Sequence, residues 1–322
     1  MNNEICVLGA TGRVGRAVAK QLQHAGVSIA LAGRDRERLE EVAASVGGAP
    51  RLVVGSLDAV LADLTRDPPS VVINTVGPFT ATAITVARAC PVGTHYVDVA
   101  NELPAVQGIL ALDREAADSG RVFVTGAGFG VLATESTLLH LCEGHPPASR
   151  VRVDAVPSLA TEPGVIGSAL AHSIVDNIPS GGWEVRNGRL ASAPVFGKPT
   201  HLTTPDGDMV ASASIPSGEL LAAWRASKAA EVVAASSVAP TSAAVRLMMP
   251  AVSAVFHIPG VAGFAARRLE RVKLRAQAMP RKSSWAHARA EWSTGLSGKA
   301  GFAPETRTRL LSRWRWKSRN ES

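Results

Sequence analysis

Three glycines, Gly9, Gly12 and Gly15, follow the apolar run that opens "ICVLGATGRVGRAVAKQL", and helix-patterned sequence follows them. A first glycine lets a strand turn sharply, a second leaves no side chain to block a pyrophosphate, and a third lets the next helix lie close on the strand. The N-terminus of that helix then offers free amides to phosphates. The spacing is GxxGxxG rather than GxGxxG. It is the order of strand, glycines and helix that makes a dinucleotide cradle the expectation, with a Rossmann-like domain binding something else or nothing as the rival reading.

The second predicted strand ends in "LAGRDRERLE". An NAD site places an acidic residue about 20 residues past the glycines to hold the ribose 2′-hydroxyl. Here Gly33 is followed by Arg34, whose guanidinium can grip a 2′-phosphate and stack on adenine, so NADP(H) is expected over NAD(H). Asp35 could reach a ribose, yet it also stands where it would cap the next helix. Further on, "VVINTVGPFTATAITVARAC" puts Asn74, Thr75 and Gly77 at a strand's carboxyl end. Gly77-Pro78 turns the backbone outward there, which would set Gly77 to Phe79 beside a nicotinamide or make a plain strand-to-helix turn. The fifth strand delivers Tyr96 and Asp98 in "THYVDVANE", with Glu102 soon after. Asp98 is the catalytic candidate, a carboxylate that could orient a substrate amine or relay a proton, and it could equally cap a helix. Phe79, Asp98 and Glu102 are the candidate substrate residues.

Elements must carry these residues to one place. From residue 5 to about 125, short β-rich runs ("ICVL", "VSIALA", "RLVV", "VVINTV", "THYVDV", "RVFVT") alternate with helical patterns. One of the latter is "DRERLEEVAASV", where Leu39, Val42 and Val46 recur at helical spacing. Such alternation predicts a parallel, doubly wound sheet with ligands at the carboxyl ends of its strands. After about Gly130 the texture changes: "RVRVDAV" (150–156) and "WAHARAEW" (285–292) alternate like half-exposed strands, and Asn187-Gly188 marks a two-residue hairpin. The expected fold is therefore α/β, a Rossmann-type doubly wound parallel sheet with a second α+β domain. Its expected divisions are 1–130 for the dinucleotide domain, 131–292 for a substrate or dimerisation domain, and 293–322 for a basic tail. Residues 229–266 are rich in alanine and valine, but Pro250, Pro259, Gly260 and Arg246 interrupt them, and a spanning helix needs about 20 apolar residues in a row. Packed helices are expected there, with contact to a membrane or a partner left open.

Charge is divided unevenly along the 322 residues. The whole carries +7, yet residues 267–322 hold 15 Lys/Arg against 4 Asp/Glu, and residues 1–266 hold 19 against 23. A basic end of this kind can meet nucleic acid or acidic lipid, and as a rule is a solvated face or tail, so no specific nucleic-acid partner is expected. Within it, "GLSGKA" lacks the spacing and hydroxyl of a phosphate loop, while Trp314 and Trp316 among basic residues could stack on bases or sit at a membrane interface. Cys6, Cys90 and Cys142 lie far apart, and neither cysteine nor histidine spacing suggests a metal, so none is expected. Only Met1 to Glu4 precede the first strand, leaving no room for a leader, and the cytoplasm is the expected address.

Taken in order, "VLGATGRVGRAVAKQL", "LAGRDRERLEEVA", "VVINTVGPFTATAITVARACPVGTHYVDVANE" and "VTGAGFGVLATESTLL" resemble the saccharopine dehydrogenase-like family of NADP-dependent oxidoreductases. The similarity covers about residues 3–142 and thins over 150–228, where "PGVIGSALAHSI" and "IPSGEL" look like that family's second domain. The resemblance implies that Gly9, Thr11, Gly12, Arg13 and Val14 form the phosphate loop, that Arg34 meets the adenosine end, and that Thr75, Val76 and Gly77 meet the inner ribose and nicotinamide. Many relatives read "GFDSxPSD" where this chain reads "GFGVLATE", so Gly130 and Ala133 replace an Asp and a Pro. The expected activity is hydride transfer between nicotinamide and a small amino-acid-derived imine or carbonyl substrate bound between the sheet's carboxyl edge and the second domain. Two alternatives stay open: a trans-acting enoyl reductase on carrier-bound or lipid-like acyl chains, and a non-catalytic NADP-binding regulator. The partners expected are the small-molecule substrate, a peripheral membrane or carrier-protein contact, and a second copy in a homodimer.

Overall fold

The computed structural model describes residues 2–158, 164–165, 181–256, 258, 260–269, 271–274, 283–293, 295, 297–302 and 317–318. Trp314, Trp316 and all but two residues of "PGVIGSALAHSI" lie outside that set. The chain divides into two compact units, Met1–Ala100 with Pro104–Ala127, and Asn101–Leu103 with Gly128–Ser322.

The first unit alternates strand and helix: β1 (Asn2–Leu8), α1 (Arg13–His24), β2 (Ile29–Gly33), α2 (Arg36–Val46), β3 (Arg51–Val54), α3 (Leu57–Arg66), β4 (Pro69–Asn74), α4 (Phe79–Ala89), β5 (His95–Asp98), α5 (Leu103–Leu110), α6 (Asp113–Asp118) and β6 (Phe123–Val124). All six strands are parallel in the order β3-β2-β1-β4-β5-β6. The chain winds outward from β1 to one side and then returns to β4 on the other, which opens a crevice at the carboxyl ends of β1 and β4. Cys6, Val7, Ala30, Leu31, Ala32 and Val72 are wholly buried, as strands covered by helices on both faces require. Val7, Leu31, Leu39 and Val42 join one core cluster, so the apolar positions of "DRERLEEVAASV" do face the sheet. Asp35 caps α2 by accepting from the Arg38 amide at 3.2 Å, and Ser56 caps α3 through the Ala59 amide at 3.3 Å. Away from the crevice, Arg51 of β3 donates to Glu4 of β1 at 2.7 Å and to Asp63 of α3 at 2.7 Å. Burial opposes ionisation of Asp63, but Arg51 and Arg66 together hold its carboxyl below the usual range.

The second unit contains α7 (Phe129–Cys142), β7 (Arg150–Val156), β8 (Gly164–Val165), β9 (Gly182–Arg186), β10 (Arg189–Ala193), β11 (Thr200–Thr203), β12 (Met209–Ser214), α8 (Gly218–Ser227), β13 (Glu231–Ser236), α9 (Ala243–Phe256), α10 (Val261–Leu269), β14 (Lys273–Leu274), β15 (Trp285–Glu291), β16 (Ser297–Phe302) and β17 (Lys317–Ser318). Nine described strands form a mixed sheet, β10-β9-β13-β7-β15-β16-β17, with β12 also on β13 and β11 beyond it. Only β13 and β7 run parallel within it; the pairs β7–β15 and β15–β16 are antiparallel. Asn187 and Gly188 turn β9 into β10 with φ of +51° and +67°, the left-handed pair that the Asn-Gly sequence supplies. α7 and α8 pack on the sheet and on each other. Val151, Ala290 and Gly298 share one cross-strand row, and a Cβ on Gly298 would stand 2.9 Å from Leu141 of α7. The row therefore lies beneath that helix.

That contact alters the expected division of the chain. Part of the 293–322 segment is sheet: residues 297–302 form β16, and a glycine is what allows it to slide under α7. The alanine-rich segment 229–266 likewise contains a strand, β13, before α9 and α10, and Pro250 lies inside α9 rather than dividing it, at the loss of one helical hydrogen bond. No described helix is long and apolar enough to cross a membrane.

Candidate functional site

The three glycines have separate duties. Gly9 has φ +85°, and a Cβ there would sit 2.8 Å from both Thr75 Oγ1 and Val76 Cγ2. Gly15 is pressed against the turn, where a Cβ would fall 2.3 Å from the Gly9 carbonyl oxygen and 2.8 Å from Ala10 Cα. Gly12 is exposed and forms the N-cap of α1 with no side-chain capping bond. The first-turn amides of this twelve-residue helix therefore lack both intrahelical and side-chain acceptors. The loop is tethered on both sides. Gly9 and Ala10 amides donate to Ala32 of β2 at 2.9 and 3.1 Å, and Gly12 N donates back to Gly9 O at 2.9 Å. Arg13 and Val14 are exposed beside it, and Thr11 is half-buried.

Arg34 stands two residues beyond the Leu8↔Ala32 pair that closes β1 on β2. It is exposed and forms no ion pair among the described residues, although its neighbours do: Arg36 with Glu40 at 3.6 Å and Arg38 with Asp35 at 3.4 Å. Asp35 is thus committed to capping α2, and the uncommitted group at the end of β2 is a cation.

On the other side of the crevice, Thr75 donates twice to Leu8 O, from its amide at 2.9 Å and its hydroxyl at 2.8 Å, with Gly9 O at 3.2 Å from the same hydroxyl. The Thr75 side chain is therefore a bolt between β4 and the glycine turn. Val76, Gly77 and Phe79 are half-buried, and the Gly77-Pro78 bond is cis. Beneath them runs a buried polar chain. Asn74 accepts from the Val76 amide at 3.0 Å and donates to Tyr96 Oη at 3.2 Å and, more loosely, to Thr82 Oγ1 at 3.4 Å. Thr82 donates to Val76 O at 2.6 Å, and the Tyr96 hydroxyl donates to Asp98 Oδ2 at 2.9 Å. Asp98 Oδ1 accepts from Ala100 N, Gly126 N and Thr125 Oγ1, each at 2.9 Å. Burial, and then the facing Asp98 carboxylate, push the Tyr96 phenol far above its ordinary value.

Asp98, the catalytic candidate, is 0% exposed, and its four hydrogen bonds hold β5 to the turns that follow β5 and β6, so it braces the carboxyl edge. Glu102, 3% exposed, accepts from the Asn101 amide at 3.1 Å and pairs through its backbone with Ser217, both residues belonging to the second unit. Asn74, Thr82 and Tyr96 are the residues that the sequence left unassigned at the site. Their signal was faint: polar groups at positions where strand and helix otherwise read apolar.

Two polar clusters lie in the second unit. Asp154, wholly buried, receives Arg152 Nε and Nη2 at 3.0 and 2.9 Å, Ser212 Oγ at 2.7 Å and His287 Nδ1 at 3.2 Å. Burial alone would raise its pKa, but His287 and Arg152 hold the carboxyl below the usual range. Ser212 is bonded to the carboxylate rather than to the imidazole, so this is not an activated nucleophile. The second cluster explains the departure at "GFGVLATE". A Cβ on Gly130 would stand 2.3 Å from Glu219 Oε1, and Glu219 is 1% exposed with Oε2 lacking a protein partner. Burial raises its carboxyl, against smaller opposing effects from Ser217 and Asn101. The space that a side chain at 130 would need is taken by a carboxyl from α8.

Neither a protein-family description nor a curated protein matches the chain. Solved structures do. Serine dehydrogenase from Escherichia coli is 14% identical, covers 38% of this chain and 80% of its own, with a TM-score of 0.34. A short-chain dehydrogenase from Sphingobium yanoikuyae in complex with NADPH gives 18%, 38%, 70% and 0.33, and one from Streptomyces avermitilis gives 16%, 39%, 65% and 0.33. A likeness this distant carries no argument about chemistry. The resemblance to the saccharopine dehydrogenase-like family rests on the motifs of this chain alone.

Proposed function

We propose that the protein is an NADP(H)-dependent oxidoreductase of the saccharopine dehydrogenase-like type, acting on a small amino-acid-derived imine or carbonyl compound. The observation that carries this reading is the cradle itself: a left-handed glycine turn, a helix whose first amides nothing caps, and an exposed, unpaired Arg34 at the end of the adjoining strand. These residues fit a dinucleotide. The first-turn amides of Arg13, Val14 and Gly15 suit the pyrophosphate, and the Arg34 guanidinium suits a 2′-phosphate. Asp35, occupied as a cap, offers no competing grip on a free ribose hydroxyl. Thr75, Val76 and Gly77 line the opposite side of the same crevice, where the nicotinamide end would lie. When bound, the dinucleotide supplies the hydride for a C=N or C=O carbon. The protein's share is to hold that end still, and the Asn74–Tyr96–Asp98 chain does so from beneath, making Asp98 a positioning residue.

The test is a titration of NADPH and NADH into wild type and Arg34→Ala. NADPH should bind Arg34→Ala about 10- to 100-fold more weakly, the worth of one charge-assisted contact, while NADH is unchanged. Equal affinities for the two nucleotides in both proteins would sink the NADP assignment. With NADPH bound, oxidation in the presence of imines or ketones assigns the activity. Reduction of enoyl thioesters alone would move the protein to the enoyl reductases, and tight binding without turnover would make it a regulator.

A further inference from the structure

Surface helices of globular proteins turn apolar residues inward and charged ones to water. α9 turns Met249 inward but is apolar on its exposed face as well. Its exposed stripe runs at helical spacing through Ala244, Leu247, Met248, Ala251, Ala254 and Val255, with Ile258 just beyond the helix, and no member is charged. Leu247 is 84% exposed, Met248 64% and Ile258 55%; Phe264 of the neighbouring α10 is 62% exposed. α9 and α10 pack together, so these side chains belong to one helical pair. A contiguous apolar patch in water marks a surface made to be covered.

The charges around it indicate what covers it. From residue 232 to residue 273 the chain has one acidic residue, Glu270, against five cations: Arg246 on α9, Arg267 and Arg268 on α10, and Arg271 and Lys273 just after. None of these four arginines forms an ion pair among the described residues. At 14 and 9 residues the helices reach about 21 and 14 Å, well short of the ~30 Å hydrocarbon core of a bilayer. They are too short to cross and too apolar for water. Helices with an uncharged apolar stripe and flanking cations in excess of anions lie along an anionic membrane surface.

We propose that the α9–α10 pair is an interfacial docking surface for an anionic lipid bilayer. Leu247, Met248, Val255, Ile258 and Phe264 enter the acyl boundary, and Arg246, Arg267 and Arg268 meet the headgroups. The assignment is independent of any dinucleotide bound in the first unit. It is tested by co-sedimentation of the full-length protein with vesicles of phosphatidylcholine alone and of phosphatidylcholine mixed with phosphatidylglycerol. Wild type should bind the mixed vesicles about tenfold or more tightly than the neutral ones. Leu247→Glu/Phe264→Glu should lose binding to both, with wild-type circular dichroism. Arg267→Gln/Arg268→Gln, which changes only exposed charges, should lose the preference for phosphatidylglycerol. Wild type remaining in the supernatant, or either double variant binding as wild type does, would overturn the proposal. So would sedimentation velocity without lipid that shows a dimer broken by Leu247→Glu/Phe264→Glu, since a second copy would then be the occupant.

Discussion

Tyr96 is the single tyrosine of the chain, and it reports on the site from beneath. Its hydroxyl is wholly buried, accepts from Asn74 at 3.2 Å and donates to Asp98 at 2.9 Å. Burial first and the Asp98 carboxylate second raise its pKa above the ordinary value of about 10. The fold therefore holds the neutral phenol. That contribution is complete below about pH 10 and is lost as pH climbs toward the folded value, at about 1.4 kcal/mol per pH unit. At about pH 11.5 the loss is about 2 kcal/mol, a large part of the ~5–15 kcal/mol that holds a typical domain together. Tyrosinate absorbance has one source here, so an alkaline titration reads Tyr96 alone. The absorbance should stay absent while circular dichroism is native, and the two should change together when the protein unfolds. Tyr96→Phe should cost about 2–3 kcal/mol at neutral pH in urea, because Asn74 Nδ2 and Asp98 Oδ2 each lose a buried partner. The gap between the two proteins should then narrow above about pH 10. Tyrosinate appearing near pH 10 in folded protein would refute the reasoning, as would a Tyr96→Phe cost below about 0.5 kcal/mol.

Two further substitutions test the close approaches. Gly15→Ala puts a methyl group 2.3 Å from the Gly9 carbonyl, so the turn must move; a loss of about 1–3 kcal/mol in urea is expected, together with weaker NADPH binding in the titration above. Gly130→Asp sets a second carboxyl against buried Glu219 and should destabilise by about 3 kcal/mol or more, and adding Glu219→Ala should recover most of that loss, which a double-mutant cycle measures.

The parts of the fold legible in the sequence are those whose physical causes are local. Gly9, Gly12 and Gly15 are read within seven residues, and the alternation of apolar runs with helical patterns names a parallel sheet before any contact is seen. Asn187-Gly188 is legible for the same reason, since two left-handed residues in a row make one kind of turn. The hydrogen bonds of Asp98 were not legible because its partners, Thr125 and Gly126, come 27 and 28 residues later; a carboxylate at a strand end looks the same in sequence whether it faces substrate or four donors. β16 fell within the expected basic tail because the glycine that fits it beneath α7 is also common in flexible segments. The exposure of α9 was hidden too. Periodicity shows that a helix has an apolar stripe but not which way the stripe points.

The registers of the two sheets also set when each can form during synthesis. Everything that pairs in the first sheet lies within the first 127 residues, and Asp98 is satisfied once Gly126 has been made. The central strand of the second sheet, β7, must wait: Arg150 finds Glu231 81 residues later and Glu291 141 residues later. Such distant pairing is intrinsically slow, and chains emerge from the ribosome at about 5–20 residues per second. The first sheet and its glycine turn are thus complete while the strand that will anchor the second unit is still without neighbours.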